Sequence, residues 1–313
     1  MRRFFLLGKN IALIPMHGIS HAAAAQAAIF HPAKENFMPR LALRILAIVL
    51  GFAASCALGI AQESGIPPQL HPWGTFETGV WKLVHVTTQS LDEQGHVASS
   101  GATDTKTTLV EIDKNGVKLE VDACMEVAGK RFQAEPQIVE QGFHGEQAVP
   151  GVTVQPAVDG EIVVEDRKIP CKVQQFDVAG PNEKTHITVH YSTTVAPYVL
   201  KRESVTTDLD GKNVLSETKT EVIAFDMPVR VQLENRSGTY VKTVQKTPKE
   251  TVTTLAVVLP DVPGGVVYHS MKEVDANGRV VRRSTLELVA YSTDPDNGRL
   301  LRKRPSRHAK TPY

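Results

Sequence analysis

Between Val117 and Val127 the chain alternates without a break. Val117, Leu119, Val121, Ala123, Met125 and Val127 fall on one side, and Lys118, Glu120, Asp122, Cys124 and Glu126 on the other. A period of two sends successive side chains to opposite faces of an extended backbone, so this segment predicts a half-buried antiparallel strand. The same criterion predicts strands over 81–88, 103–112, 161–165, 169–178, 186–192, 198–207, 214–225, 240–246, 251–259, 266–274 and 279–291. After residue 62 no stretch holds the 3.6-residue period of a long amphipathic helix, and abundant Thr and Val suit strands. The expected fold class is mainly β: a curved antiparallel sheet of hairpins, half-open barrel or β-sandwich-like, with few helices outside a leader.

One turn punctuates these strands. An aspartate, two residues and a glycine recur as Asp92 to Gly95, Asp113 to Gly116, Asp208 to Gly211 and Asp275 to Gly278. Aspartate at the first position accepts backbone N–H bonds across the turn, and glycine supplies the positive φ that closes it. Asn115-Gly116 and Asn277-Gly278 are strong hairpin signals. None of the four carries the full run of oxygen ligands ending in Glu that a calcium loop needs, so Gly95, Gly116, Gly211 and Gly278 read as structural turn glycines. The stretches 81–127 and 198–231 share one plan, which a meander of similar hairpins produces without duplication.

The N-terminal region changes the picture of where the protein works. From Met38 the chain reads MPRLALRILAIVLGFAASCALGIAQES, with Arg40 and Arg44 before an apolar run and small residues ahead of Gln62. That is the layout of a secretory signal peptide over residues 38–61, with cleavage after Ala61, and it predicts export to the periplasm or the exterior. Residues 1–37 read as a mis-assigned or extended N-terminus. Cys56 lacks the leucine three residues upstream that lipoprotein acylation uses. No transmembrane helix is expected in the mature chain, because the leader's apolar run is short and rich in small residues.

Of 35 basic and 34 acidic residues the first 61 hold six and one, so cleavage after Ala61 leaves 29 against 33, a net of −4. Nothing in that balance points to nucleic acid as a partner. About 250 mature residues can bury a substantial core in one β domain or two over 62–300. The segment 301–313, LRKRPSRHAKTPY, is basic, lacks an apolar period and predicts a disordered tail. Its charge offers contact with anionic envelope components.

Candidate chemistry is sparse. His186 and His190 have a metal-like spacing, but on a strand residues four apart lie ~13 Å from each other, too far to share one zinc ion. His144 sits in a glycine-bounded loop beside Glu146, no Gly-x-Ser-x-Gly elbow occurs, and Asn235-Arg236-Ser237 is a glycosylation sequon. No glycine-rich phosphate loop follows a strand, so neither a cofactor nor a metal is expected. Trp73 and Trp81, in HPWGTFETGVWKLV, are anchors with two readings: they plug the end of the sheet, or they line a ligand mouth.

The segment from Ile169 to Val205, IPCKVQQFDVAGPNEKTHITVHYSTTVAPYVLKRESV, resembles the outer-membrane lipoprotein-carrier family, LolA and LolB and their secreted relatives. The resemblance is one of rhythm: an extended strand, a loop, a strand ending in Tyr-Ser, a Pro-containing turn, then a strand reading Val-Leu-Lys-Arg-Glu. It implies a half-open antiparallel barrel whose concave face takes acyl chains. No pocket residue of that family carries over by motif, and its covering helices have no counterpart in this sequence.

Two functional readings follow. One is an exported, non-catalytic β protein that binds a lipid, a lipoprotein acyl chain or another apolar ligand on a concave sheet face. The other is a structural or interaction protein of the cell envelope with no small ligand. An enzyme stands third, because sites assembled from distant strands leave no local motif.

Loss of Cys56 with the leader leaves Cys124 and Cys171, an even count in an oxidising compartment that admits a disulfide. Alternation opposes the pair: Cys171 shares a face with Ile169 and Val173, whereas Cys124 lies among Lys118, Glu120, Asp122 and Glu126. Cysteines on opposite faces of one sheet miss the required Cβ approach.

Overall fold

The computed structural model describes residues 66–113, 116–127, 129–143 and 152–295. The leader, residues 1–37, Cys56, His144 and the tail 301–313 lie outside them. Apart from a 3-10 turn at Pro68–Leu70, the regular structure is antiparallel sheet. In chain order the strands are β1 (Trp81–Leu91), β2 (Val97–Ile112), β3 (Val117–Val127), β4 (Lys130–Gln133), β5 (Gln137–Gln141), β6 (Val152–Val154), β7 (Val158–Val164), β8 (Arg167–Ala179), β9 (Glu183–Tyr191), β10 (Val199–Asp208), β11 (Val214–Val231), β12 (Glu234–Lys246), β13 (Glu250–Val258), β14 (Val266–Asp275) and β15 (Val280–Ser292).

The strands join in the order β4-β3-β2-β1-β15-β14-β13-β12-β11-β10-β9-β8-β6, with β5 also on β3 and β7 also on β8. Nearly every neighbour is a sequence neighbour, as expected of a meander. β3–β5 and β6–β8 each skip one strand, and the long-range exception is β1 against β15, which pairs Trp81 with Ser292. The sheet is curved and not closed, in line with the expected fold class.

Each predicted strand corresponds to an observed one, but the short edge strands β4, β5 and β6 escape the pattern. Their three to five residues are too few to establish a period.

The turns show their chemistry directly. Asp275 Oδ1 accepts from the backbone N–H groups of Asn277 (2.9 Å) and Arg279 (3.0 Å), while Gly278 at φ 83° closes the loop. Asp92 does the same for Gln94 and His96, and Asp208 for Lys212, with Gly95 and Gly211 also at positive φ. Gly116 serves a different need: a Cβ there would sit 1.9 Å from the carbonyl oxygen of Gln141, where β5 docks on β3. Two two-residue hairpins place non-glycine residues at positive φ. Glu165-Asp166 joins β7 to β8 and Gln232-Leu233 joins β11 to β12, all four residues at positive φ.

One face of this single sheet is buried, so the sheet must curl over itself to cover it. The row Val222, Val241, Ala256, His269, Leu286, Val86, Thr103, Met125 runs directly across eight strands from β11 to β3. Every member is buried. Strands far apart in the order meet inside the curve: Val164, Ile169 and Cys171 of β7–β8 pack with Val222, Val241 and Val258 of β11–β13.

Among the described residues no helix covers the open side. Its place is taken by the segment 66–80 ahead of β1. Ile66 and Leu70 pack on Phe176, Ile187 and Val189 of β8–β9. Trp73 and Val80 pack on Leu109, Val117 and Leu119 of β2–β3. Backbone bonds fix this strap: Gly264 N donates to Pro72 O (3.0 Å), and Gly79 N to Leu109 O (2.7 Å). It therefore ties the two limbs of the curved sheet together through apolar burial.

Candidate functional site

The concave face changes character along the strand direction. Two residues beyond the buried row lies a second one: Arg202, Thr220, Thr243, Thr254, Met271, Ser284, Thr88. Most of its side chains are hydroxyls, and Arg202, Thr220, Thr243, Met271 and Thr88 are only half-buried. The hydroxyls of Thr220 and Thr243 bond each other at 3.0 Å. A step further, Glu273 on β14 faces Arg282 on β15, and the two form an ion pair.

Both partners of that pair are about nine-tenths shielded from solvent, with side-chain exposures of 10% each. Burial raises the Glu273 carboxyl above the ordinary carboxylate range and outweighs the opposing pull of Arg282, with neighbouring Glu250 adding to the rise. Burial likewise lowers the Arg282 guanidinium. Around the pair the Arg282 Nε and the Ser284 hydroxyl have no hydrogen-bond partner among the described residues, and the same holds for Arg202 Nε on β10.

At the apolar end stands Lys82, on the concave side opposite Thr107. Its Nζ reaches the carbonyl oxygen of Gly264 at 3.4 Å and lies 5.7 Å from the centre of the Trp73 ring. Burial lowers its pKa to about 8. His269 in the buried row is pushed down to about 4, by burial first and by the Lys82 charge second. The imidazole is therefore neutral at physiological pH, and Lys82 carries the local positive charge.

Trp73 and Trp81 are 3% and 7% exposed. Trp73 belongs to the strap's core, while Trp81 lies under the Lys106 ammonium at 4.7 Å, so the protein's own atoms cover both rings. Cys124 and Cys171 are free thiols on β3 and β8, with nine strands of the sheet order between them. Burial raises the Cys171 thiol, and Glu161 adds to the rise. His186 bonds Asp177 at 2.8 Å, and burial lowers the half-buried His190. Among the described residues no three His, Cys, Asp or Glu side chains gather as a metal site.

Sequence reasoning missed one line of reactive residue types, because its members sit on three strands. His85, Asp104 and Cys124 are direct cross-strand neighbours on the convex face. His85 Nδ1 and Asp104 Oδ1 are 2.6 Å apart. The order puts the carboxylate in the middle, so the ring able to take a thiol proton is bonded to Asp104 instead. The rest of the convex face carries ion pairs such as Lys201–Glu203 at 2.8 Å and Lys219–Glu221 at 2.6 Å. Exposed pairs of this kind contribute little stability and keep a surface solvated.

No protein-family model matches the chain, and no curated protein is significantly similar to it. Two solved structures are similar. One is described as a lipoprotein from Parabacteroides distasonis, at 14% identity over 74% of this chain and 100% of that one, with a TM-score of 0.29. The other is described as an exported protein with YmcC-like fold from Bacteroides fragilis, at 10% identity over 69% and 97%, with a TM-score of 0.27. Similarity at that level assigns neither substrate nor mechanism.

Proposed function

We propose that the protein is exported, non-catalytic, and holds an amphipathic envelope molecule, a lipid or a lipoprotein acyl chain, at the hydroxyl-lined part of its concave face. The observation that carries this reading is the gradient on that face, from the buried row through Val222 and Leu286 to the half-buried Thr and Arg row beside it. A surface with apolar and hydrogen-bonding halves in register suits a ligand with the same division. An amphipathic ligand fits better than a wholly apolar one, because Ile66, Leu70 and Trp73 already fill the deepest apolar positions. The leader over residues 38–61 supports export. Native mass spectrometry of protein purified from its own envelope is expected to show a bound amphiphile. A clean unliganded mass would count heavily against this function.

A second reading, an envelope interaction protein without a small ligand, draws on the charged convex face and on the basic segment 301–313. Pull-downs from envelope extracts with and without residues 301–313 address it, and identical partner sets would remove the tail from consideration.

A further inference from the structure

Among the described residues three cations point to the concave side, and their surroundings differ. Arg282 is neutralised by Glu273. Lys82 is half-buried, its ammonium between the Gly264 carbonyl and the Trp73 ring. Arg202, at the middle of β10, forms no ion pair among the described residues, and its Nε is buried without a hydrogen-bond partner. The carboxylate next to it in sequence, Glu203, alternates to the convex face, where it bonds Lys201.

A buried N–H left unpaired is costly, and native proteins satisfy such groups with protein, water or a bound ligand. Directly across from Arg202 stand Thr220 on one side and Val189 on the other. Thr243 follows Thr220 in the same row. The guanidinium thus has a hydroxyl-bearing flank and, at Val189, an apolar flank that packs with Phe176 and Ile187, with the buried amide of Gln174 next in the row. A planar fork of donors beside hydroxyls matches a carboxylate or phosphate oxyanion, and an adjacent apolar patch matches the chain that follows one.

We infer that Arg202 is the headgroup ligand of the concave face, binding the oxyanion of a single-chain anionic amphiphile, with Thr220 and Thr243 completing the contact. This rests on the proposed ligand-binding function and names its ligand class.

The test uses calorimetric titration of the mature protein and its Arg202→Met and Arg202→Lys variants with laurate, dodecyl phosphate, dodecanol and inorganic phosphate. The expected result is that at least one anionic amphiphile binds the unmodified protein about tenfold or more tighter than dodecanol. Arg202→Met removes that preference and leaves dodecanol binding unchanged. Arg202→Lys retains charge, guards against a variant that fails to fold, and shows a partial preference. If the anionic amphiphiles and dodecanol bind alike, or if both variants keep the preference, the headgroup assignment is overturned while ligand binding stands. Inorganic phosphate binding as tightly as dodecyl phosphate, with loss in Arg202→Met, keeps Arg202 as an anion ligand and overturns the lipid function. Absence of all binding overturns both.

Discussion

His269 and Lys82 show what burial does to single ionisable groups. The His269 imidazole has a folded pKa of about 4 against an ordinary 6.5. Between those values the unfolded chain binds a proton that the folded chain refuses, so stability falls as pH drops from 6.5 towards 4. The full loss is up to about 3 kcal/mol, and His269→Leu is expected to flatten that acid limb in urea melts.

Lys82 acts in the alkaline range. Its folded pKa of about 8 lies below the ordinary 10.5, so the cost of burying its charge is fully present below pH 8 and is relieved as pH rises to 10.5. Lys82→Met is therefore expected to stabilise the protein at neutral pH by up to about 3 kcal/mol. A destabilised variant would show that the ammonium's contacts with Gly264 and Trp73 outweigh its desolvation. Neither group was legible as special in the sequence, because period-two alternation tells which face a residue takes and says nothing of what curls over that face.

At the scale of elements, the strands and three of the four aspartate–glycine turns behave as their local chemistry requires. Gly116 is the instructive departure. Its neighbour Asn115 announces a hairpin, yet the demand for glycine comes from Gln141, a residue of another strand. The two kinds of glycine are separable by experiment. Gly95→Ala meets nothing within 4 Å and bears only the positive φ of 82°, which costs about 1 kcal/mol. Gly116→Ala must push a backbone carbonyl aside and is expected to cost more than about 2 kcal/mol. Urea denaturation of both variants checks the order, and equal losses would remove the special role of Gly116. The strap 66–80 was not legible as an element, because it has no period; its Ile66, Leu70 and Trp73 are placed by two distant limbs of the sheet.

For the whole molecule, the decisive fact is the sheet order. Pairing of β1 with β15 sets β3 and β8 towards opposite ends of the sheet, each carrying one cysteine. Thiol titration of the protein without residues 1–61 is expected to find two free thiols. Cys124, half-exposed on β3, should react well before Cys171, whose thiol is held up by burial. A count of zero would require the two limbs to meet in a way this order does not bring about. The same curl gathers Arg202, Thr220, Thr243, Ser284 and the Glu273–Arg282 pair onto one face, although they span residues 202–284.

The sequence by itself determined strand positions, face alternation, most turns, the absence of long helices among the described residues and the expectation of export. Each of these follows from interactions between residues a few positions apart, which is the range over which periodicity and turn chemistry act. Only the tertiary structure decided which face became the inside, that a strap rather than a helix crosses the open side, and which cations lost their carboxylate partners there. Those outcomes depend on pairings between residues as far apart in the chain as Trp81 and Ser292, where burial sets the cost of a charge and the register of distant strands sets its neighbours.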